Sequence, residues 1–346
     1  MQPLTLWRVL TRCSVLAVIL FFVVIAALKF GAVQVSLWGL GHDLLSVILR
    51  QTSAISTDYG MIVIDIRLPR IILAIFVGAA LSLAGTSFQA LLRNPLADPY
   101  VLGVSSGASV GAVLALILEP HLAVSPAVAA LLTPIGAFCG AAVTVAAVYI
   151  LGRREGQIDS STLLLSGIIT ASFLSSIIIF LMTTLISRDL HGMQFWLMGD
   201  LSIALQRNLR WFLGIAFIVA SAAIYSTASD LNLLLAGEKE AMHLGVDVPR
   251  VRLVVYIAAS ALTGLAVSVS GSIGYIGLLV PHVMRIIFGS DHRVLLPTAA
   301  FGGAIALVIA DTLARTVVAP SEIPVGAMTA LAGAPLFIYL LRRRLA

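Results

Sequence analysis

The chain has 346 residues, 60% of them hydrophobic and 11% charged, with a formal charge of +5, a pI near 9.6 and a mean hydropathy of +1.07. An average globular chain carries about a quarter charged residues, so this one cannot cover a soluble globule of its length and must turn apolar surface to lipid. Intrinsic disorder, a disulfide scaffold and a nucleic-acid binder are excluded, because the basic residues are scattered and the two cysteines, Cys13 and Cys139, lie inside apolar runs.

A membrane-spanning helix needs about 20 mostly apolar residues, and backbone facing lipid must bond within its own helix. Ten spans are predicted, at roughly 10–33, 71–91, 98–118, 126–151, 162–186, 209–227, 251–270, 275–289, 295–316 and 323–341. The reading is an all-α integral membrane protein, a single transmembrane domain over residues 1–346 with a polar insertion at 229–247. Arg8 and Arg12 precede a first apolar run that ends near Ala26 and Ala27, the outline of a secretory signal, but nine further spans make a retained anchor the expectation. With the N-terminus inside, 13 basic residues fall on the cytoplasmic side, among them Arg93, Lys239, Arg252 and Arg342, and 8 outside, among them Arg50 and Arg188. That bias and the even number of spans predict both termini in the cytoplasm.

Pro69 suits the start of the second span and is flanked by Arg67 and Arg70, three residues apart and therefore on one side of a helix. Arginines outside oppose the charge bias, so they read as exposed groups that meet acids on another protein or snorkel to lipid phosphates. In the third and fourth spans, Gly103, Gly107 and Gly111, then Gly136 and Gly140, recur at four-residue spacing, a pattern that lets helix backbones approach closely. The stretch Leu190-His-Gly-Met-Gln-Phe-Trp-Leu-Met-Gly-Asp200 is too short to cross and reads as a re-entrant or interfacial helix. Its Phe195 and Trp196 are candidate pore lining or interfacial anchors.

Residues 229–247 read as two short helices, one capped by Asp230 and ended by Gly237, the other running from Glu238 until Gly245 stops it. Exposed leucines with a mixed-charge rim suit either a docking surface for a soluble partner or an amphipathic loop on the membrane interface. Anionic lipid would repel Glu238 and Glu240, which favours the partner. Asp311 is the one carboxylate placed well inside a span; Arg315 ends the same span, and Glu322 beyond it is an alternative internal partner for Arg315.

No G-x-x-x-x-G-K-[ST] loop is present, so nucleotide hydrolysis by this chain is not expected. The six histidines, among them His42 and His282, do not pair at ligand spacing on one helix, and no metal site is expected. A lone Asp311 at depth is poor provision for an ion-coupled secondary transporter or an intramembrane enzyme.

Taken in order, several blocks resemble the permease subunit of type II ABC importers for iron chelates (siderophores and haem) and vitamin B12. They include Arg67-Leu-Pro-Arg70, Arg93-Asn-Pro-Leu-Ala-Asp-Pro-Tyr100, Leu231-Asn-Leu-Leu-Leu-Ala-Gly-Glu238, Gly274-Tyr-Ile-Gly-Leu-Leu-Val-Pro-His282, Ala310-Asp-Thr-Leu-Ala-Arg315 and Glu322-Ile-Pro-Val-Gly326. The resemblance covers residues 64–344 and implies ten spans per subunit, a homodimer or pseudo-dimer in a bacterial inner membrane, two ABC ATPase subunits and a periplasmic or lipid-anchored substrate-binding protein. ATP and magnesium would sit on the ATPase, leaving no cofactor, no catalytic residue and no nucleic-acid partner for this chain.

By the same resemblance, Arg67, Arg70 and Arg315 would pair with glutamates of the binding protein. Asp230, Leu231, Leu233, Leu234, Gly237, Glu238, Glu240, Leu244 and Gly245 would form the coupling helices against the ATPase. Ser160 and Ser161 would lie at the cytoplasmic gate, and Phe195, Trp196 and Gly199 beside the pore. The cargo expected is a ferric siderophore or haem, with a corrinoid as the alternative.

Overall fold

The computed structural model describes residues 6–31, 62–154, 157–184, 190–202 and 206–345. Arg50, Arg188 and His42 lie outside the described residues. In chain order the helices are α1 (Leu6–Lys29), α2 (Leu68–Leu91, entered through a π-helical turn at Ile62–Arg67), α3 (Val104–Leu118), α4 (Pro126–Leu151), α5 (Ser160–Thr184), α6 (Leu190–Leu197) and α7 (Arg207–Ser226). They continue as α8 (Ala228–Leu234), α9 (Glu238–His243), α10 (Val248–Ser270), α11 (Ile276–Phe288), α12 (His292–Thr316) and α13 (Val325–Leu345). A two-residue antiparallel pair, with Arg153 opposite Ile158, joins α4 to α5.

Eight helices, α1 to α5, α7, α10 and α12, are long and apolar enough to cross a membrane, and α11 and α13 add two shorter apolar ones. Each of the ten predicted spans thus corresponds to an apolar helix among the described residues, eight of spanning length and two shorter, the predicted eighth being α11. The third begins later than predicted: Asp98 accepts from Tyr100 N and starts a 3-10 turn at Pro99–Leu102, and α3 opens only after Gly103, at φ +74°. Gly103 is thus a left-handed cap rather than the first member of the glycine stripe.

Helix α2 is the axis of the bundle, packed against α10, α11 and α12. Its small residues allow this: Gly78 lies against the Gly303 carbonyl of α12, and Gly85 against the Gly277 carbonyl of α11, so a β-carbon at either would collide with backbone. Gly107 and Gly111 of α3 meet Gly140 and Gly136 of α4 in the same manner. Phe88 of α2 packs edge-on against Tyr256 of α10, whose hydroxyl donates to Val145 O of α4 at 2.9 Å.

Between α10 and α11 the chain is non-helical yet buried, and other elements satisfy its backbone as a membrane interior requires. The Tyr100 hydroxyl bonds both Ile273 O and Ile273 N at 3.0 Å, and Asp200 N donates to Ser270 O at 2.8 Å.

Candidate functional sites at the two ends of the bundle

Helix α12 separates two polar clusters. Asp291 caps its start and Asp311 lies 20 residues on, so about 30 Å of helix stands between them.

At the end formed by Asp311, Arg67, Arg70 and Arg315 converge, and they are only 4%, 7% and 6% exposed. The expectation that these arginines stand exposed is thus corrected. Arg70 Nε donates to Asp311 Oδ1 at 2.8 Å and its NH1 to Glu322 Oε2 at 2.8 Å, while Arg315 Nε lies 3.1 Å from Asp311 Oδ2. Arg67 takes a different partner: its NH1 donates to Leu28 O at 2.6 Å and Lys29 O at 3.2 Å, carbonyls at the negative end of α1. Two consequences follow from burial. A guanidinium in a bundle interior must find an acid or a carbonyl, and Asp311, read alone as an acid without a partner, answers two of them. The alternative of an internal Arg315 to Glu322 pair is replaced by Arg315 to Asp311 and Arg70 to Glu322. Three arginines against two carboxylates leave one excess positive charge, and Glu322 is the half-exposed member at 42%.

At the opposite end, α8 and α9 form the two short helices expected. Thr227, not Asp230, is the N-cap of α8, and Asp230 sits in the first turn where an acid suits the helix dipole. Gly237 (φ +137°) and Gly245 (φ +87°) bracket α9, in backbone conformations that disfavour any side chain. The leucines divide in a way the sequence did not show: Leu231 and Leu234 are buried and Leu233 is half-buried, whereas Leu235, Met242 and Leu244 are exposed. The buried pair anchors the segment, and the exposed set remains for a partner.

Glu238 also differs from expectation. It pairs with Arg93 at 2.9 Å, at the end of α2, and with Arg252 of α10, so it is an internal tie, while Glu240 is exposed. Asn232 fixes α8 to α12: its Nδ2 donates to Asp291 Oδ1, and its Oδ1 accepts from His292 N, each at 2.8 Å. The guanidinium of Arg293 and the Asn232 amide hold the Asp291 carboxyl down at about 2.

Ser160 and Ser161 open α5, where Asp159 accepts from Ser161 Oγ at 2.6 Å and from Thr162 N at 2.8 Å. Phe195 is half-buried, and Trp196 is buried rather than presented to an interface. Gly199, at φ +91°, accepts from Val325 N at 3.0 Å, pinning the end of α6 to the start of α13. Helix α5, the span predicted at 162–186, touches the bundle chiefly through Leu163 and Gly167 and leaves Phe173, Ile179 and Phe180 exposed beside Ser172 and Ser176, two serines that sequence reading did not single out. Both serine hydroxyls donate to carbonyls of the preceding turn, at 2.9 and 3.1 Å. Serine recurring every four residues in an apolar run was the available signal.

A bundle of eight span-length and two shorter apolar helices, with a clamped two-helix projection at one end and a buried ionic knot at the other, defines a multi-pass membrane protein. The FecCD transport family model matches residues 19–343, and the chain belongs to that family. It is 43% identical to the cobalamin import system permease protein of Halobacterium salinarum, over 82% of this chain and 74% of that one. It is 42% identical to the hemin transport system permease protein of Yersinia pestis, over 87% and 89%. A solved structure of an inward-facing metal-chelate type ABC transporter superposes with a TM-score of 0.79 at 29% identity, covering 96% of this chain and 99% of that one. The chain is therefore the membrane permease of an ABC importer of the iron chelate, haem and vitamin B12 class, a transport component.

Proposed function

We propose that the chain imports a metal chelate, a ferric siderophore or haem, across a bacterial inner membrane. It would work as two copies with two ATPase subunits and a periplasmic or lipid-anchored binding protein, both termini in the cytoplasm. The observation that carries this reading is the rigid seating of α8 and α9. Their exposed face of Leu235, Glu240, Met242 and Leu244 is clamped to α2, α10 and α12 through Glu238 and Asn232. A push by a closing ATPase on that face passes into three long helices rather than being lost in a loop.

Helix α12 carries the displacement about 30 Å to the ionic knot, over which the binding protein docks. The excess positive charge there favours an acidic docking surface. The exposed face of α5, with Ser172 and Ser176 among large apolar residues, suits the boundary with the second copy and the path between them. Ser160 and Ser161 at its start and the Phe195 to Gly199 segment are the gate candidates. Likeness to the metal-chelate transporter supports an iron chelate, and a corrinoid is the second reading, favoured by the Halobacterium relative.

The test is reconstitution in vesicles with a matching ATPase and binding protein, followed by uptake of labelled ferric siderophores, haem and cobalamin. Uptake of an iron chelate that needs ATP and the binding protein is expected. Uptake driven by an imposed proton gradient without ATP would overturn the proposal in favour of secondary transport.

A further inference from the structure

A cavity of about 340 Å³ with mixed polar and apolar walls opens beside the α8 end of the bundle, lined by Gln89, Ala90, Arg93, Pro95, Leu235, Arg285, Ser290 and His292. Its lining holds two guanidiniums and a histidine and not one carboxylate; Glu238 reaches Arg93 from outside the lining. Arg285 NH2 donates to Gln89 Oε1 at 3.0 Å, and Gln89 Nε2 donates to Leu278 O at 3.1 Å, so the floor is held in place by α2 and α11. The second observation is His292. It is 1% exposed, its Nδ1 is 2.8 Å from Asn232 Oδ1, and its Nε2 has no hydrogen-bond partner. Because Asn232 Oδ1 is an acceptor, Nδ1 carries the hydrogen and Nε2 is left as a buried acceptor in want of a donor.

Ile286 and Ile287, which follow Arg285 on α11, are 63% and 59% exposed, so apolar helix surface borders the cavity. Basic pockets between helices beside apolar surface suit anionic head groups.

We propose that this cavity binds a phosphate group, its charge facing Arg93 and Arg285 and a hydroxyl of the same ligand donating to His292 Nε2. A phosphatidylglycerol head group carries both features, and so does inorganic hydrogen phosphate.

The two sources separate in one experiment on the full-length chain purified in detergent. Native mass spectrometry would count phosphatidylglycerol or phosphatidylcholine retained at equal supply, and thermal melting would be followed with sodium phosphate against sodium chloride at matched ionic strength. Expected is retention of one phosphatidylglycerol per chain, at least fivefold over phosphatidylcholine, and loss of that preference in Arg285→Gln. Ser290→Glu, an exposed position where a carboxylate enters the rim without removing a contact, should lose it equally while melting as wild type. A melting rise with phosphate that Ser290→Glu abolishes, without lipid retention, assigns the site to the free anion. Binding of neither, or binding that Ser290→Glu leaves unchanged, overturns the proposal.

Discussion

Arg70 and Asp311, 241 residues apart in the chain, meet at 2.8 Å through Nε and Oδ1, both buried where α2 crosses α12. The contact closes a knot in which one aspartate serves Arg70 and Arg315 together. Removing one partner from such a site leaves charge uncompensated, which costs about 3–5 kcal/mol, whereas replacing the whole set by apolar residues of similar volume is often neutral. Asp311→Ala should therefore lower the melting temperature in detergent sharply. The triple variant Arg70→Met, Asp311→Leu and Arg315→Met should recover most of the loss. An Asp311→Ala protein that melts with wild type would refute the knot.

Glu322, half-exposed on Arg70, occupies the place that an acid of the binding protein would take in the docking proposed above. If docking uses this end, Glu322→Gln should free the edge of the Arg70 guanidinium that faces away from Asp311 and tighten association by up to about tenfold, or about 1.4 kcal/mol, with a steeper salt dependence. Surface plasmon resonance at two ionic strengths measures both. Unchanged or weaker association would remove Arg70 from the docking surface.

The two glutamates of α9 should behave differently, because Glu238 ties Arg93 to Arg252 and Glu240 faces outward. Glu238→Gln should cost about 1 kcal/mol or less, given its partial exposure, and loosen α9 on its supports. Glu240→Lys should cost about 1 kcal/mol or less, through loss of an acid in the first turn of α9, and reduce uptake-linked ATP hydrolysis severalfold. Full coupling in the Glu240 variant would exclude this face as the ATPase contact.

Close helix crossings predict a sharp contrast among glycines. Gly78→Val and Gly85→Val drive side chains into the backbones of α12 and α11, and overpacking of this kind costs about 1–3 kcal/mol or more. Gly214 of α7 has open space around it, so Gly214→Ala should be neutral or slightly stabilising through helix propensity. Equal melting of the three variants would show that the crossings tolerate separation.

Much of the bundle was legible beforehand. Length and composition required helices in lipid, the apolar runs gave ten of them including the short α11, and glycine spacing marked the α3 and α4 contact. The non-helical buried stretch before α11 was not legible, because its backbone is satisfied by Tyr100 and Asp200 from distant parts of the chain.

The polar residues show the same division. That Arg67, Arg70, Arg315, Glu238 and Asp311 were exceptional followed from one dimension, since charge in an apolar chain is costly and needs a reason. Which reason applied was decided by the fold. Ion pairs and carbonyl contacts form over a few ångströms between residues far apart in the chain, 252 positions for Arg70 and Glu322 and 276 for Arg12 and the Phe288 carbonyl, and hydropathy carries no record of them. The sequence by itself determined where the membrane helices run and that scarce charges must be functional or paired. Only the tertiary structure decided that Arg67, Arg70 and Arg315 are bonded within the chain, that Leu231 and Leu234 anchor while Leu244 projects, and that a basic cavity opens between α2, α11 and α12. Burial depends on which helix faces meet, and that is a property of packing rather than of any one segment.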